Sequence, residues 1–323
     1  MELEAIKKIL ENDLSKLESR LKTRSKTNVK LINKLSEHII SSGGKRLRPT
    51  LLFLAARFGE KSSYNKAVDA SVIVEFIHAA TLLHDDVVDM SEIRHSQDTA
   101  NTIWGNKGAV LVGDFLYSRA FEIIVEINDT EIYETLALTT NTIAQGEVMQ
   151  LMNIKNTQLS EKEYMEIIYR KTAILFEASA KIGSIIGRIN SENIESLAKF
   201  GLHLGLAYQL RNDFLDYFGD TGSTGKNLAE DLLEGKVTIP IIHSLHNSDK
   251  KEKLVIEQAI RENDISLITP IIDILKKSKS DIYIQEKITE QTNIALSFLS
   301  SLPECIYKEK LIELAFFCQH RTT

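Results

Sequence analysis

Three carboxylates stand within five residues at Asp85-Asp86-Val87-Val88-Asp89, at the end of a run from Val72 to Leu83 that is nearly all apolar. On a helix Asp85 and Asp89 face the same way, close enough to share divalent cations and to repel each other when nothing lies between them. A hard cation relieves that repulsion. Mg²⁺ prefers carboxylate oxygen, keeps several waters and completes its shell with substrate phosphates. The triplet Asp85, Asp86 and Asp89 therefore predicts Mg²⁺ together with a phosphorylated ligand. A generic acidic triplet reads as a solvated face, but these flanks are apolar, so the carboxylates close a buried segment.

A second cluster, Gln209-Leu210-Arg211-Asn212-Asp213-Phe214-Leu215-Asp216, follows another small and apolar stretch, Gly201 to Ala207. Asn212 and Asp216 are four apart and Asp213 and Asp216 three apart, so Asn212, Asp213 and Asp216 join the candidate metal ligands. Two such helices facing each other would make a polynuclear Mg²⁺ site that grips one diphosphate from both sides. The segment Gly43-Gly44-Lys45-Arg46-Leu47-Arg48-Pro49 adds flexible backbone and three positive charges, suited to a second phosphate group bound without metal. Alone, such a run reads as a solvated turn.

The elements that must position these groups read as helices. The chain has four prolines in 323 residues, about a quarter of average usage, so long uninterrupted helices are permitted. No strand-like alternation stands out, and Glu163 to Ile186 repeats apolar residues at three- and four-residue spacing. The expectation is an all-α protein with one domain over residues 1–323. The Gly219 to Gly225 stretch, just beyond the second cluster, reads as a long loop able to act as a lid. A net charge of −6 argues against a nucleic-acid partner. Cys305 and Cys318, thirteen apart and without His or Cys neighbours, read as reduced core thiols. Met1 to Leu21 is charged throughout in an amphipathic pattern, neither a signal peptide nor a membrane span, so a cytoplasmic protein is expected.

The sequence resembles the trans-isoprenyl diphosphate synthases, most of all the bacterial long-chain, octaprenyl-type members, over nearly its whole length. The resemblance is carried by Gly43 to Pro49, Glu75 to Asp89, Arg94 with Thr99-Ala100-Asn101, Val112 to Phe121, Gln145-Gly146-Glu147, Lys171-Thr172, Gln209 to Asp216, and Gly235-Lys236 leading to Pro240. It implies a single helical bundle of the isoprenoid synthase type with a central cavity, and a homodimer. It also implies an allylic diphosphate and isopentenyl diphosphate as substrates. The role of Mg²⁺ would be to stabilise the leaving diphosphate. Lys171, Thr172 and Gln209 would sit beside the allylic cation; Arg94, Lys226 and Lys236 would contact the allylic diphosphate; and Lys45, Arg48 and His78, with His95, would hold isopentenyl diphosphate. Ala80, five residues before Asp85 and about 7.5 Å along the helix, would line the tunnel for the growing tail. Its small size implies long products, octaprenyl diphosphate for a quinone side chain, and so apolar a product is compatible with loose membrane association.

Each assignment has a plainer alternative. A lone histidine in an apolar helix, such as His78, is ordinarily a core residue, Gln209 could tie two helices together, and Lys171 and Thr172 could be an exposed lysine and a back-bonding threonine. Asp114 and Arg119 read as structural, near a subunit contact. The chain departs from the family at two places, with Asn212 where an aspartate is usual and His95 where a second arginine is usual. Those departures keep a non-catalytic subunit of a heteromeric synthase in play. Lys45 and Arg48 argue against a terpene cyclase, which has no second diphosphate to hold.

Overall fold

The computed structural model describes residues 2–41, 44–59, 64–94, 97–219 and 228–322. Helices follow one another along the chain: α1 (Glu2–Ile9), α2 (Glu11–Arg24), α3 (Lys30–Ser41), α4 (Leu47–Ala56), α5 (Tyr64–Val88), α6 (Ala100–Trp104), α7 (Asn106–Ile127), α8 (Thr130–Met152), α9 (Glu161–Ile168), α10 (Ile174–Gly187) and α11 (Ser191–Phe218). Then come α12 (Glu230–Leu233), α13 (Ile239–Asn247), α14 (Lys250–Glu262), α15 (Ile268–Lys277), α16 (Ser280–Phe298) and α17 (Ile306–His320). Among the described residues the only strands are two of two residues, β1 (Ile93–Arg94) and β2 (Gln97–Asp98), paired antiparallel just after α5. The expected all-α fold is what the chain adopts.

The helices begin where the sequence supplies partners for their free N–H groups. Ser160 and Glu163 form a capping box at α9, and Asp249 and Glu252 form another at α14. Pro240 sits in the first turn of α13, where its missing N–H costs nothing. Arg46 precedes α4 in the left-handed region, φ 55°.

The chain packs as two compact units. One comprises residues 2–140, Phe176–Gly201 and Ser301–Leu314, and the other Asn141–Leu175, Leu202–Ser300 and 315–322, so α8 and α11 each contribute to both. In the first unit α5 is the central element. Ser71 through Ile77 are all buried, which is what a helix apolar on nearly every side requires. Within residues 65–88 an 18-residue window has mean hydropathy 1.4, long and apolar enough to cross a membrane, but 72% of that window is buried inside the protein. It is a core helix. The second unit closes around Tyr164, Ile167, Leu206, Leu210, Tyr217 and Ile239, packed with residues of α14 to α16.

Candidate active site

In the first unit α5 runs out at its acidic residues. Asp89 donates its backbone N–H to the Asp85 carbonyl at 2.8 Å, and Met90 then turns left-handed at φ 54°. Asp85 and Asp89 are half-buried on the last turn. That is the negative pole of the helix macrodipole, where carboxylates are disfavoured and a cation is welcome. Asp86 corrects the sequence expectation. It is 1% exposed, and its Oδ1 accepts from both Nε and Nη2 of Arg94 at 2.8 Å, so a guanidinium rather than a metal neutralises it. The cause is helical phase: Asp86 stands about 100° round from Asp85 and points into the protein. Burial still holds its carboxyl above the usual range, against the pull of Arg94.

The segment after α5 is tied back to the acidic turn. Thr99 Oγ1 donates to the Ser91 carbonyl at 2.7 Å, and Asn101 Nδ2 donates to the Ser91 and Asp86 carbonyls at 3.0 and 3.2 Å. His84, next to Asp85, lays its ring on α7, with Nε2 3.2 Å from the Val110 carbonyl. A Cβ at Gly113 would come within 2.3 Å of that ring, so the close approach needs glycine.

The basic turn divides by role. Arg46 is structural: Nε donates to Glu18 at 2.8 Å, Nη1 to Glu75 at 2.5 Å and Nη2 to the Ile40 carbonyl at 2.7 Å, joining three helices. Lys45 and Arg48 flank the N-terminus of α4 half-exposed, with the Arg48 guanidinium 4.5 Å from the Phe176 ring centroid. His78 is half-buried on α5. Gly43 and His95 lie outside the described residues.

In the second unit three elements meet around Lys171. The helix leaving α9 widens into a π-helical turn over Tyr169–Ala173 before α10 resumes, a form found mostly at functional sites. Lys171 Nζ donates to Glu147 Oε2 and Gln150 Oε1 of α8, each at 2.6 Å. Thr172 Oγ1 donates to Gln209 Oε1 of α11 at 3.1 Å, and Gln209 Nε2 donates to Asp213 Oδ1 at 2.9 Å. Tyr164 closes the chain by donating its hydroxyl to Asp213 Oδ2. Gly146 lets α8 approach this turn, since a Cβ there would lie 2.8 Å from both Arg170 Cβ and Lys171 N. The sequence blocks Gln145-Gly146-Glu147, Lys171-Thr172 and Gln209 are thus brought together. Tyr164 went unnoticed because an apolar-spaced tyrosine looks like any core aromatic.

Of the ligands expected on α11, Asp213 and Asn212 are engaged by neighbouring side chains and Asp216 by backbone N–H groups. Asp213 has no exposed surface, and Tyr164 and Gln209 each donate to one of its oxygens, so it is burial, against the half-buried Asp216, that keeps it from a metal. Burial and the nearby Asp231 push its carboxyl up to about 7. The Asn212 side-chain oxygen accepts from Nη2 of Arg321, so a cation already stands at the position expected to hold a metal. Asp216 accepts the backbone N–H groups of Glu230 and Asp231 at 3.1 and 3.3 Å, which leaves further lone pairs on its two oxygens. Lys236 donates to Glu234 at 2.6 Å. Lys226 and the expected lid loop from Asp220 to Gly225 lie outside the described residues.

Ala80 is fully buried, about 140° round α5 from Asp85, whereas the half-exposed residues in line with Asp85 are His78, Thr81 and Leu82. Among the described residues no three acidic, His or Cys side chains converge on one point, so a cation held by Asp85 and Asp89 must complete its shell with phosphate and water. Hard oxygen donors at the foot of a helix fit a divalent ion of that kind.

A family model described as polyprenyl synthetase matches residues 29–275. The octaprenyl diphosphate synthase of Escherichia coli (strain K12) is 38% identical over 322 residues, 99% of each chain. An all-trans-nonaprenyl-diphosphate synthase (geranyl-diphosphate specific) of Rhodobacter capsulatus is 37% identical, with 88% of each chain covered. Among solved structures, a polyprenyl synthase from Caulobacter crescentus CB15, complexed with calcium and isoprenyl diphosphate, superposes with a TM-score of 0.95. It is 37% identical and the match covers 99% of this chain and 98% of that one.

Proposed function

Because the chain belongs to the polyprenyl synthetase family and is a prenyltransferase, we propose that it extends an allylic diphosphate, farnesyl diphosphate first, with successive isopentenyl diphosphates to octaprenyl diphosphate, a quinone side-chain precursor. The observation that carries the reading is Asp85 and Asp89 at the negative pole of α5, an arrangement that costs stability unless cations arrive with a substrate. Mg²⁺, when bound, neutralises charge on the diphosphate as its carbon–oxygen bond breaks. In this reading Asp85 and Asp89 are the protein ligands of the first unit, and Asp216 is the carboxylate that the second unit offers to a cation.

Lys171, held out by Glu147 and Gln150, binds the allylic diphosphate with Arg94 and Lys236, while the oxygens of Thr172 and Gln209 face the developing allylic cation. Lys45, Arg48 and His78 hold isopentenyl diphosphate, helped by the positive end of α4. His95 and Lys226 join these two sets on the resemblance alone. The isopentenyl double bond attacks the cationic carbon, and the proton lost afterwards goes to the released diphosphate. Product length is set by the wall running back from the metals on α5, with Ala80 behind it and Thr81 and Leu82 on its surface.

The two units act as one catalytic domain, and the active form is a cytoplasmic homodimer, loosely associated with membrane through its apolar product. Supporting self-association, Leu111, Phe121 and Val125 share one face of α7 and are 66, 46 and 70% exposed. The engaged amide of Asn212 favours, as a second reading, a subunit that needs a catalytic partner.

The test is to incubate the purified protein with farnesyl diphosphate, labelled isopentenyl diphosphate and Mg²⁺ and to measure product length. Long product from this chain alone is expected, and its absence until a partner is added supports the second reading. Asp85→Ala should cost on the order of a thousandfold in rate; near-normal turnover would sink the proposed mechanism.

A further inference from the structure

Four threonines in the long helices of this protein return their hydroxyl proton to their own helix. Thr135, Thr139, Thr289 and Thr292 each donate to the carbonyl four residues back, at 2.7 to 2.9 Å. Thr172 does not. Standing in the π-helical turn, it donates across to Gln209 Oε1 at 3.1 Å. The direction of that bond depends on which end of the Gln209 amide faces Thr172. Asp213 decides it above the pH of about 7 at which its carboxyl ionises: the carboxylate then only accepts, so the Gln209 NH₂ turns toward Asp213 and the carbonyl toward Thr172. Tyr164, donating to the other oxygen, holds the carboxylate in place, and both groups are buried.

We propose that Tyr164 and Asp213 are positioning residues that fix the hydrogen-bond direction through Gln209, so that Thr172 gives its proton inward and keeps its lone pairs for the allylic cation. Reversal of one amide would reverse the end. With an NH₂ facing Thr172, the threonine oxygen becomes an acceptor, and its hydroxyl proton swings out toward a centre that becomes positive in the transition state. The inference rests on the prenyl-transfer reading of the site and gives Asp213 a task other than metal binding.

Asp213→Asn tests it at constant shape. With its oxygen toward Tyr164 the new amide presents NH₂ to Gln209, which then flips; Asp213→Asn with Tyr164→Phe removes the hydroxyl that could otherwise accept the new NH₂. At pH 8 and saturating Mg²⁺, kcat for the first condensation should fall on the order of tenfold to a hundredfold, with KM for isopentenyl diphosphate within about twofold. Binding should split in the same way: a protonated-amine analogue of the allylic diphosphate loses affinity, and a neutral thio-linked analogue does not. Tyr164→Phe preserves the direction, so it should lower Tm while costing kcat less than Asp213→Asn. Wild-type kcat and unchanged affinity for the amine analogue in Asp213→Asn would overturn the proposal, as would recovery of kcat at raised Mg²⁺. If Asp213→Asn does not fold, NMR of the wild-type protein decides. The Gln209 side-chain amide, assigned by its loss in Gln209→Glu, should carry one slowly exchanging, strongly downfield proton, and a water-like pair would refute the chain. Failure of the wild-type protein to make prenyl product would overturn the functional reading and leave the NMR test standing.

Discussion

Arg321 donates to the side-chain oxygen of Asn212 while its guanidinium lies 4.2 Å from the centroid of the Tyr208 ring on the same helix. The position where the family usually carries an aspartate is thus already matched to a cation, and that cation is an arginine. An aspartate placed there would ion-pair with Arg321 before it reached a metal.

Asn212→Asp alone should therefore leave the half-saturating Mg²⁺ concentration unchanged and raise Tm by about 2 °C, contrary to what charge counting on the sequence suggests. In Asn212→Asp with Arg321→Gln the carboxylate is released, and less Mg²⁺ should suffice for half-maximal rate. Mg²⁺ titration of the single and double variants, with thermal melts, checks both outcomes.

Gly146→Ala should move the π-helical turn, because the added methyl falls 2.8 Å from Arg170 Cβ and Lys171 N, and neither the backbone nor a Cβ can swing aside. A displacement of a few tenths of an ångström at Lys171 and Thr172 should lower kcat by roughly tenfold. Steady-state kinetics of Gly146→Ala set beside Gly105→Ala, where a Cβ meets nothing within 4 Å but φ is +80°, separates crowding at the turn from glycine strain.

On product length, Thr81→Phe should shorten the chains, because Thr81 lies on the partly open face in line with Asp85. Ala80→Phe forces a ring into a fully buried position and should cost about 1–3 kcal/mol of stability by overpacking. Chromatography of the extracted products and denaturant melts of both variants distinguish the two effects; a shift to short chains only in Ala80→Phe would restore Ala80 as the gatekeeper.

The pH dependence of stability should carry the mark of Asp213. Its carboxyl titrates at about 7 in the folded protein, against 3.8 for the ordinary group, because burial and Asp231 outweigh its donors Tyr164 and Gln209 and the charge of Lys236. Between those values the folded state holds a proton that the unfolded state has lost. Stability of the metal-free protein should then decline as pH rises from about 4 to about 7 and level off above, by on the order of a few kcal/mol. Asp86 and Glu177, also raised by burial, act in the same direction. Denaturant melts across that range should show a shallower decline in Asp213→Asn, and identical slopes would mean that Asp213 stays ionised throughout.

The helical class was legible from few prolines and three-to-four spacing, and Asp85 with Asp89 from their i, i+4 relation. The middle residues of both clusters could have been separated by the same geometry, since Asp86 and Asp213 lie a helical step out of phase with their neighbours. Arg46 could not, because its partners Glu18 and Glu75 lie 28 and 29 residues away, and charge in a glycine turn looks alike whether it serves a phosphate or a buried glutamate. Arg321 with Asn212, 109 residues apart, is equally silent in one sequence. The π-helical turn was hidden for another reason: Glu163 to Ile186 keeps a regular apolar rhythm, and one extra residue within it does not break the pattern enough to be seen.

That extra residue acts as a phase shifter. Removing one residue between Ile168 and Ile174 would let α9 and α10 join as one regular helix, but everything beyond the junction would rotate by about 100° relative to what precedes it. The pocket side of Lys171 and Thr172 and the core side of Phe176 and Ala180 could no longer both be satisfied. The site and the core share a single helix only because its count is off by one.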